Sequence, residues 1–162
     1  MIIEKITPQT AYMAGRIYEY SWKEGYRGIL PKTYLDALCA ERWAGRLVDS
    51  PYQDYILKDN GMYVGVSYIS PARDEKMSGW GEIISLYVLP ACFRKGYGTF
   101  LFHYDIKQLS AAGFANIYLW VLEKNHRARA FYEKMGFVPS ADRAMLHIGD
   151  ERFTEIRYVN EK

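Results

Sequence analysis

Short β-branched and aromatic runs alternate along this chain with longer stretches in which apolar residues recur at helical spacing. IIEKIT, residues 2–7, reads as a first strand. Thr7-Pro8 then looks like a cap with proline in the first turn, and the spacing predicts a helix over 8–24. GILPKTYLDAL restarts a helix at Pro31, and residues 40–48 continue in helical style. QDYILK, the DNG at 59–61 and MYVGVSYIS read as strand, tight turn and strand, since Asn-Gly between apolar-rich runs suits a hairpin. Residues 71–79 read as a polar loop. GEIISLYVL is a long β-branched and aromatic run, hence a central strand, and Pro90 ends it.

Residues 97–112 carry apolar side chains on more than one face, Phe100, Leu101 and Tyr104 as well as Phe102, Ile106 and Leu109. That predicts a largely buried helix, stopped at Gly113. NIYLWVL is another buried strand. Asn125 is a fair N-cap for HRARAFYEKM, in which Ala128, Phe131 and Met135 share one face. Phe131 and Met135 are expected to turn toward the core, and Gly136 to end the helix. Two more strands are expected at 143–148 and 152–159. The order β-α-α-β-β-β-α-β-α-β-β points to an α/β chain of the α+β type, a mixed central sheet of about seven strands with helices on both faces. Without a linker, repeat or low-complexity segment, residues 1–162 read as a single domain.

Composition narrows the function classes. The chain is 49% apolar and 25% charged, an ordinary soluble globular mixture. Net charge is +2 and no basic strip stands out, so nucleic acid is not expected as a partner. The apolar runs are too short to span a bilayer, and no membrane partner is expected. MIIEKITPQT lacks the positive start and apolar stretch of a signal peptide. Cys39 and Cys92 match no metal or redox spacing and read as reduced thiols in a cytoplasm. The three histidines are scattered, so no metal site is expected. The chain also holds 15 tyrosines, many of them in the first half and off any obvious core pattern.

The candidate chemistry starts at RKGYGT, Arg94 to Thr99, between a strand and a helix. Glycine lets backbone approach a ligand closely, and the first N–H groups of a helix are unpaired and lie in the positive end of its dipole. Arg94 and Lys95 add charge at the rim. The usual answer to such a cradle is a phosphate. A nucleoside-triphosphate loop needs Gly-Lys-Ser/Thr, which GYGTFL lacks. A dinucleotide fold needs a small residue where Leu101 stands.

Taken together, LYVLPACFRKGYGTFLF and NIYLWVLEKNHRARAFYEKMGF resemble the GNAT superfamily of acetyl-CoA-dependent N-acetyltransferases, closely over about residues 80–140. The resemblance implies the GNAT fold, a bacterial-type enzyme, and a coenzyme A pyrophosphate held by the loop Phe93, Arg94, Lys95, Gly96, Tyr97, Gly98 and Thr99. It implies a second coenzyme wall from Asn125, Ala128, Phe131 and Tyr132, and pantetheine contacts from the backbone of Tyr87 and Val88. Phe93 departs from the pattern, because it stands where the family has Gln or Arg; the loop is then expected to rely on its amides, with Arg94 or Lys95 covering the charge.

Acetyl transfer to an amine faces a protonation problem. An alkyl amine of pKa near 10 is neutral only about one part in a thousand at pH 7, worth roughly 4 kcal/mol of barrier. A base is useful, as is an acid for the departing thiolate. By resemblance the base is Glu82, fourteen residues before Gly96 and acting through water, and the acid is Tyr132. Glu82 also reads as a plain glutamate at a strand end, and Tyr132 as a half-buried aromatic. For the acceptor, YEYSWKEGYRGILPKTYLDAL offers aromatic faces and carboxylates that attract cationic amines, with Trp22, Glu24 and Tyr26 singled out. The expected partner is a small-molecule or peptide amine, and a homodimer stays open. A non-catalytic acyl-CoA-binding regulatory module on the same fold is the alternative.

Overall fold

The structure is a computed structural model that describes residues 1–48, 50 and 53–161. Along the chain run β1 (Ile2–Lys5), α1 (Ala11–Gly25), α2 (Lys32–Asp36), α3 (Ala40–Val48), β2 (Gln53–Asp59), β3 (Met62–Pro71), β4 (Gly81–Val88), α4 (Tyr97–Ala111), β5 (Ile117–Leu122), α5 (His126–Lys134), β6 (Val138–Ile148) and β7 (Glu151–Asn160). The strands form one mixed seven-stranded sheet in the order β1-β2-β3-β4-β5-β7-β6, the α+β architecture expected. The chain divides into two units. One holds Met1–Ser70 and Ile83–Gln108; the other holds Pro71–Glu82 and the chain from Leu109 onward.

In the first unit β1, β2 and β3 pair antiparallel, and the Asp59-Asn60-Gly61 turn closes the β2–β3 hairpin with positive φ at Asn60 (47°) and Gly61 (82°). That is the dihedral pair a two-residue loop needs to match strand twist. Strand alternation sends side chains to both faces. On one face Ile56 and Val66 meet Ala14, Ile17 and Tyr18 of α1. On the other, Leu57, Val64 and Val88 meet Leu101 of α4. Helices therefore cover both faces of this part of the sheet. Each fully buried aliphatic is worth about 1.5–3 kcal/mol. At Gly15 a Cβ would lie 2.3 Å from the Ala40 carbonyl oxygen, so the residue's bareness is what lets α1 approach the start of α3.

Boundaries differ from the pattern at α1 and α2. The first helix opens at Ala11, later than position 8. The Thr7 carbonyl accepts from the N–H groups of Thr10 (3.0 Å) and Ala11 (2.8 Å), while the Thr7 N–H donates to Thr10 Oγ1 (2.9 Å). Residues 8–10 are spent on this turn, and Thr10, not Thr7, takes the cap position. Pro31 does precede a helix, but α2 is a single short turn that ends before α3 begins.

In the second unit β7 runs between β5 and β6, antiparallel to both, with Trp120 opposite Arg157 and Leu146 opposite Phe153. The strand expected at 143–148 begins at Val138, with an irregular register between Pro139 and Arg143. The polar loop at 71–79 contains a 3₁₀ turn over Glu75–Met77, capped by the Asp74 carboxylate, which accepts from Lys76 N–H. Asp74 also pairs with Arg157, a buried guanidinium that reaches Asp142 at 3.0 Å and lies over the Trp120 ring at 4.7 Å. The loop is thus an anchored part of this unit.

Candidate active site

The glycine loop lies in the first unit. A short 3₁₀ turn at Pro90–Cys92 leaves β4, and Arg94 takes a left-handed φ of 60°. Gly96 follows at φ 86°, a conformation that L side chains rarely adopt, with open space where a Cβ would stand. Its carbonyl accepts from Phe100 N–H (3.0 Å), the first bond into α4. The amides of Tyr97, Gly98 and Thr99 make up the first turn, where N–H groups have no carbonyl one turn earlier. Arg94 and Lys95 are both exposed beside it. The Tyr97 hydroxyl donates to Asp59 (2.7 Å), which also pairs with the N-terminal ammonium, so that side chain is tied to the hairpin. Phe93 packs on the Leu57, Val64, Val88 and Leu101 cluster. A core contact, not an anion, accounts for a phenylalanine at that position.

β4 supplies Tyr87 and Val88. The Val88 carbonyl accepts from Ser21 Oγ (3.1 Å). The Tyr87 ring turns to the α1 face, where its hydroxyl shares a hydrogen bond with Tyr26 (3.1 Å) and its face meets Tyr18 edge-on at 5.4 Å. Trp22 stands 4.9 Å from the Tyr26 ring. Of the acceptor residues expected from the sequence, these two join Tyr87 in one aromatic cluster. Glu24 does not join them: it pairs with Arg27 on the exposed side of the chain.

Beside the cluster a cavity of about 390 Å³ opens, walled by Tyr18 and Trp22 of α1, Trp43 of α3, Tyr68 of β3 and Tyr87 of β4. Trp43 stacks on Tyr18 at 5.9 Å and an 8° interplanar angle. Asp54 of β2 lines the same cavity, opposite Tyr68 in register and only 6% exposed. Neither of its carboxylate oxygens has a hydrogen-bond partner among the described residues. Burial pushes this carboxyl up to about 6; the nearby Ser50 hydroxyl pulls the other way by less, without the geometry of a hydrogen bond to either oxygen. Exposed Arg46 also lines the cavity and makes no ion pair among the described residues.

The second unit holds the other expected residues. Glu82 is 1% exposed. Its carboxylate accepts from Arg73 Nε (3.0 Å), Arg73 Nη2 (2.7 Å), the Arg73 backbone N–H (3.1 Å) and the Tyr118 hydroxyl (2.8 Å). Burial, and then the hydrogen bond to Glu82, hold the Tyr118 hydroxyl up at about 12, so it stays a donor at neutral pH. Asn125 caps α5 as expected: its side chain accepts from Ala128 N–H (3.2 Å). Tyr132 is the one buried residue of α5, at 8%, and its ring lies 5.3 Å from Phe131 and 6.3 Å from Phe137. The expected facing is reversed here. Tyr132 turns inward, while Phe131 and Met135 are only half-buried.

Sequence reading passed over Asp54. Yet Asp54 and Ile56 are two residues apart on one strand, so a buried Ile56 puts Asp54 on the core-facing side. It also gave no role to Arg73 and Tyr118, which hold Glu82.

The description "Acetyltransferase (GNAT) family" matches residues 15–137. The uncharacterized N-acetyltransferase YuaI of Bacillus subtilis is 28% identical over 116 residues, 68% of this chain and 65% of that protein. The uncharacterized N-acetyltransferase Rv2669 of Mycobacterium tuberculosis is 29% identical over 106 residues, 65% of each. The chain thus spans just under two thirds of the length of these relatives. Among solved structures, the PaiA N-acetyltransferase of Thermoplasma acidophilum in complex with coenzyme A superposes with a TM-score of 0.75 at 20% identity, covering 95% of this chain and 96% of that one. YncA of Salmonella typhimurium with its cofactor acetyl-CoA gives 0.75 at 14% identity, covering 99% and 93%. On the family match, which takes in the strand before the glycine loop, the loop and the Asn125 helix, the chain belongs to the acetyltransferase (GNAT) family.

Proposed function

We propose that the protein is an N-acetyltransferase that moves the acetyl group of acetyl-CoA to a primary amine of a small molecule or peptide by direct attack. The observation that carries this reading is the glycine-headed first turn of α4. Gly96 at φ 86° with open space above it, three first-turn amides and two exposed cations suit a pyrophosphate. Tyr97, Gly98 and Thr99 would hold it through backbone N–H groups, with Arg94 and Lys95 adding charge. Tyr87 and Val88 would meet the pantetheine arm through their backbone, and Asn125, Ala128, Phe131 and Tyr132 are the further coenzyme residues that the family resemblance implies.

The reaction forms a C–N bond and breaks a C–S bond. The amine loses a proton and the thiolate gains one. Tyr132 is the proposed donor to the thiolate, and Glu82 the proposed acceptor of the amine's proton through water. Glu82 can do so only when Arg73, whose side chain is half exposed, releases part of its grip. Glu82→Gln is expected to lower turnover at neutral pH, with partial recovery at high pH as the free amine becomes abundant. A pH–rate profile checks this, and a profile parallel to wild type would leave Glu82 as an anchor for Arg73 and Tyr118 alone.

The filled Glu82 carboxylate also favours a second reading, a non-catalytic acyl-CoA-binding regulatory module. Thiol release from acetyl-CoA across an amine library separates the two. Turnover on at least one amine supports the enzyme, whereas tight acetyl-CoA binding with no turnover supports the module.

A further inference from the structure

We propose that the α1–α3 cavity is the acceptor site, and that it selects a single primary ammonium on an apolar or aromatic body with Asp54 as its counter-ion. The inference rests on the acetyl-transfer reading for the word acceptor; the binding site itself does not depend on it. Asp54 is the only carboxylate lining the cavity among the described residues, and it is buried with both oxygens unpartnered. A buried carboxylate without donors is costly, and a bound ammonium supplies the missing charge and N–H groups. The Nε1–H of Trp22, on the same wall, is buried and unpartnered too among the described residues.

The walls fit what such an ammonium would carry. Tyr18 gives its hydroxyl to a hydrogen bond with Ser85 (2.9 Å), and Tyr87 shares its own with Tyr26, so both present rings rather than free hydroxyls. Ring faces attract a cation and pack against an apolar body. About 390 Å³ lies at the small end of small-molecule sites, roughly 300–1,000 Å³. Arg46 of α3 makes a second positive charge unfavourable, which counts against polyamines. Asp54 binds the ammonium form, while attack needs the neutral amine. Asp54 is therefore a recognition residue, and its loss should raise KM for the amine more than it lowers kcat.

The test is calorimetric titration of wild-type protein and Asp54→Asn with 2-phenylethylamine, 2-phenylethanol and spermidine, without acetyl-CoA. Wild type should bind 2-phenylethylamine at least tenfold tighter than the isosteric alcohol, as for a charge-assisted hydrogen bond. Asp54→Asn should erase that difference, and spermidine should bind more weakly than 2-phenylethylamine. The amine preference should fade below about pH 6 as Asp54 protonates. The other polar and titratable groups facing it across the cavity are Arg46 of α3, Tyr18 of α1, Tyr68 of β3, Tyr87 of β4 and Ser50. Equal binding of amine and alcohol by wild type would overturn the proposal, and that arm needs no variant. An intact preference in Asp54→Asn, or tighter binding of spermidine, would overturn it as well. Asp54-dependent amine binding with no thiol release from acetyl-CoA would remove the acetyl-transfer reading and leave the site. Turnover on amines with an unchanged KM in Asp54→Asn would do the opposite.

Discussion

The three buried acidic side chains Glu82, Asp105 and Asp54 differ in how many hydrogen-bond donors each is given. Glu82 has four donors and is fully used; Asp105 has one, the Ser67 hydroxyl at 2.7 Å, with its second oxygen unpartnered among the described residues; Asp54 has none there. The family resemblance made Glu82 visible, through its strand and its distance from the glycine loop. Asp105 was hidden inside FHYDIK, where apolar residues on several faces read as a helix buried all round. The structure instead exposes Phe100 and buries Asp105, because the helix turns Leu101, Phe102, Asp105 and Leu109 inward. Tyr132 was legible as a motif position but not in its orientation. Its burial sharpens the test of its role. Tyr132→Phe keeps the ring between Phe131 and Phe137, so melting temperature and acetyl-CoA affinity should hardly change. If the hydroxyl protonates the leaving thiolate, kcat should fall by roughly 10²- to 10⁴-fold with KM for acetyl-CoA nearly constant. Steady-state kinetics on the best amine measures both, and a change within about twofold would leave Tyr132 as pocket wall.

At the scale of elements, the hydrophobic period fixed type and order well, since each expected strand and long helix is present in the expected order. Boundaries failed where local hydrogen bonds compete with the helix. Thr7 and Thr10 bond to each other around Pro8, which delays α1 by one turn. The early start of β6 was invisible because VPSAD carries a proline and little alternation; its pairing with β7 is a tertiary effect. The proposed coenzyme binding depends most on the glycine loop. A Cβ at Gly96 would clash with nothing, so Gly96→Ala isolates the backbone conformation. Holding alanine at φ 86° costs about 1–2 kcal/mol. The chain can relieve that strain by turning the loop out of the left-handed region, which disturbs the first-turn amides of α4. The variant should stay folded, lose about that much stability in denaturant melts, and bind acetyl-CoA several-fold more weakly by calorimetry. Unchanged affinity would take the loop conformation out of coenzyme binding. Phe93 belongs to the same element and shows the limit of motif matching, since its ring serves the core beneath the loop.

For the molecule as a whole, the buried carboxyls set how stability follows pH. Burial raises Asp105 from 3.8 to about 8, only partly offset by Ser67, and raises Asp54 to about 6. A folded-state pKa above the unfolded one means that the native protein binds the proton more tightly. Between about pH 4 and pH 8 the unfolded chain therefore carries fewer protons at these sites, and these groups make stability fall as pH rises. That is the reverse of the usual salt-bridged carboxylate, whose stabilisation is lost on acidification. Asp105 dominates the upper part of this window, because Asp54 has already ionised by about pH 7. Asp105→Asn keeps an acceptor for the Ser67 hydroxyl but cannot ionise. Its melting temperature should depend less on pH between 6 and 8 than that of wild type, and the two curves should converge below about pH 4, where aspartate is protonated in both folded and unfolded wild type. Scanning calorimetry from pH 4 to pH 8 on the two proteins reads the difference in slope directly. Parallel curves would mean that water or a rearranged helix already solvates Asp105, and the slope would then have to come from Asp54 or from Glu155, which burial also raises.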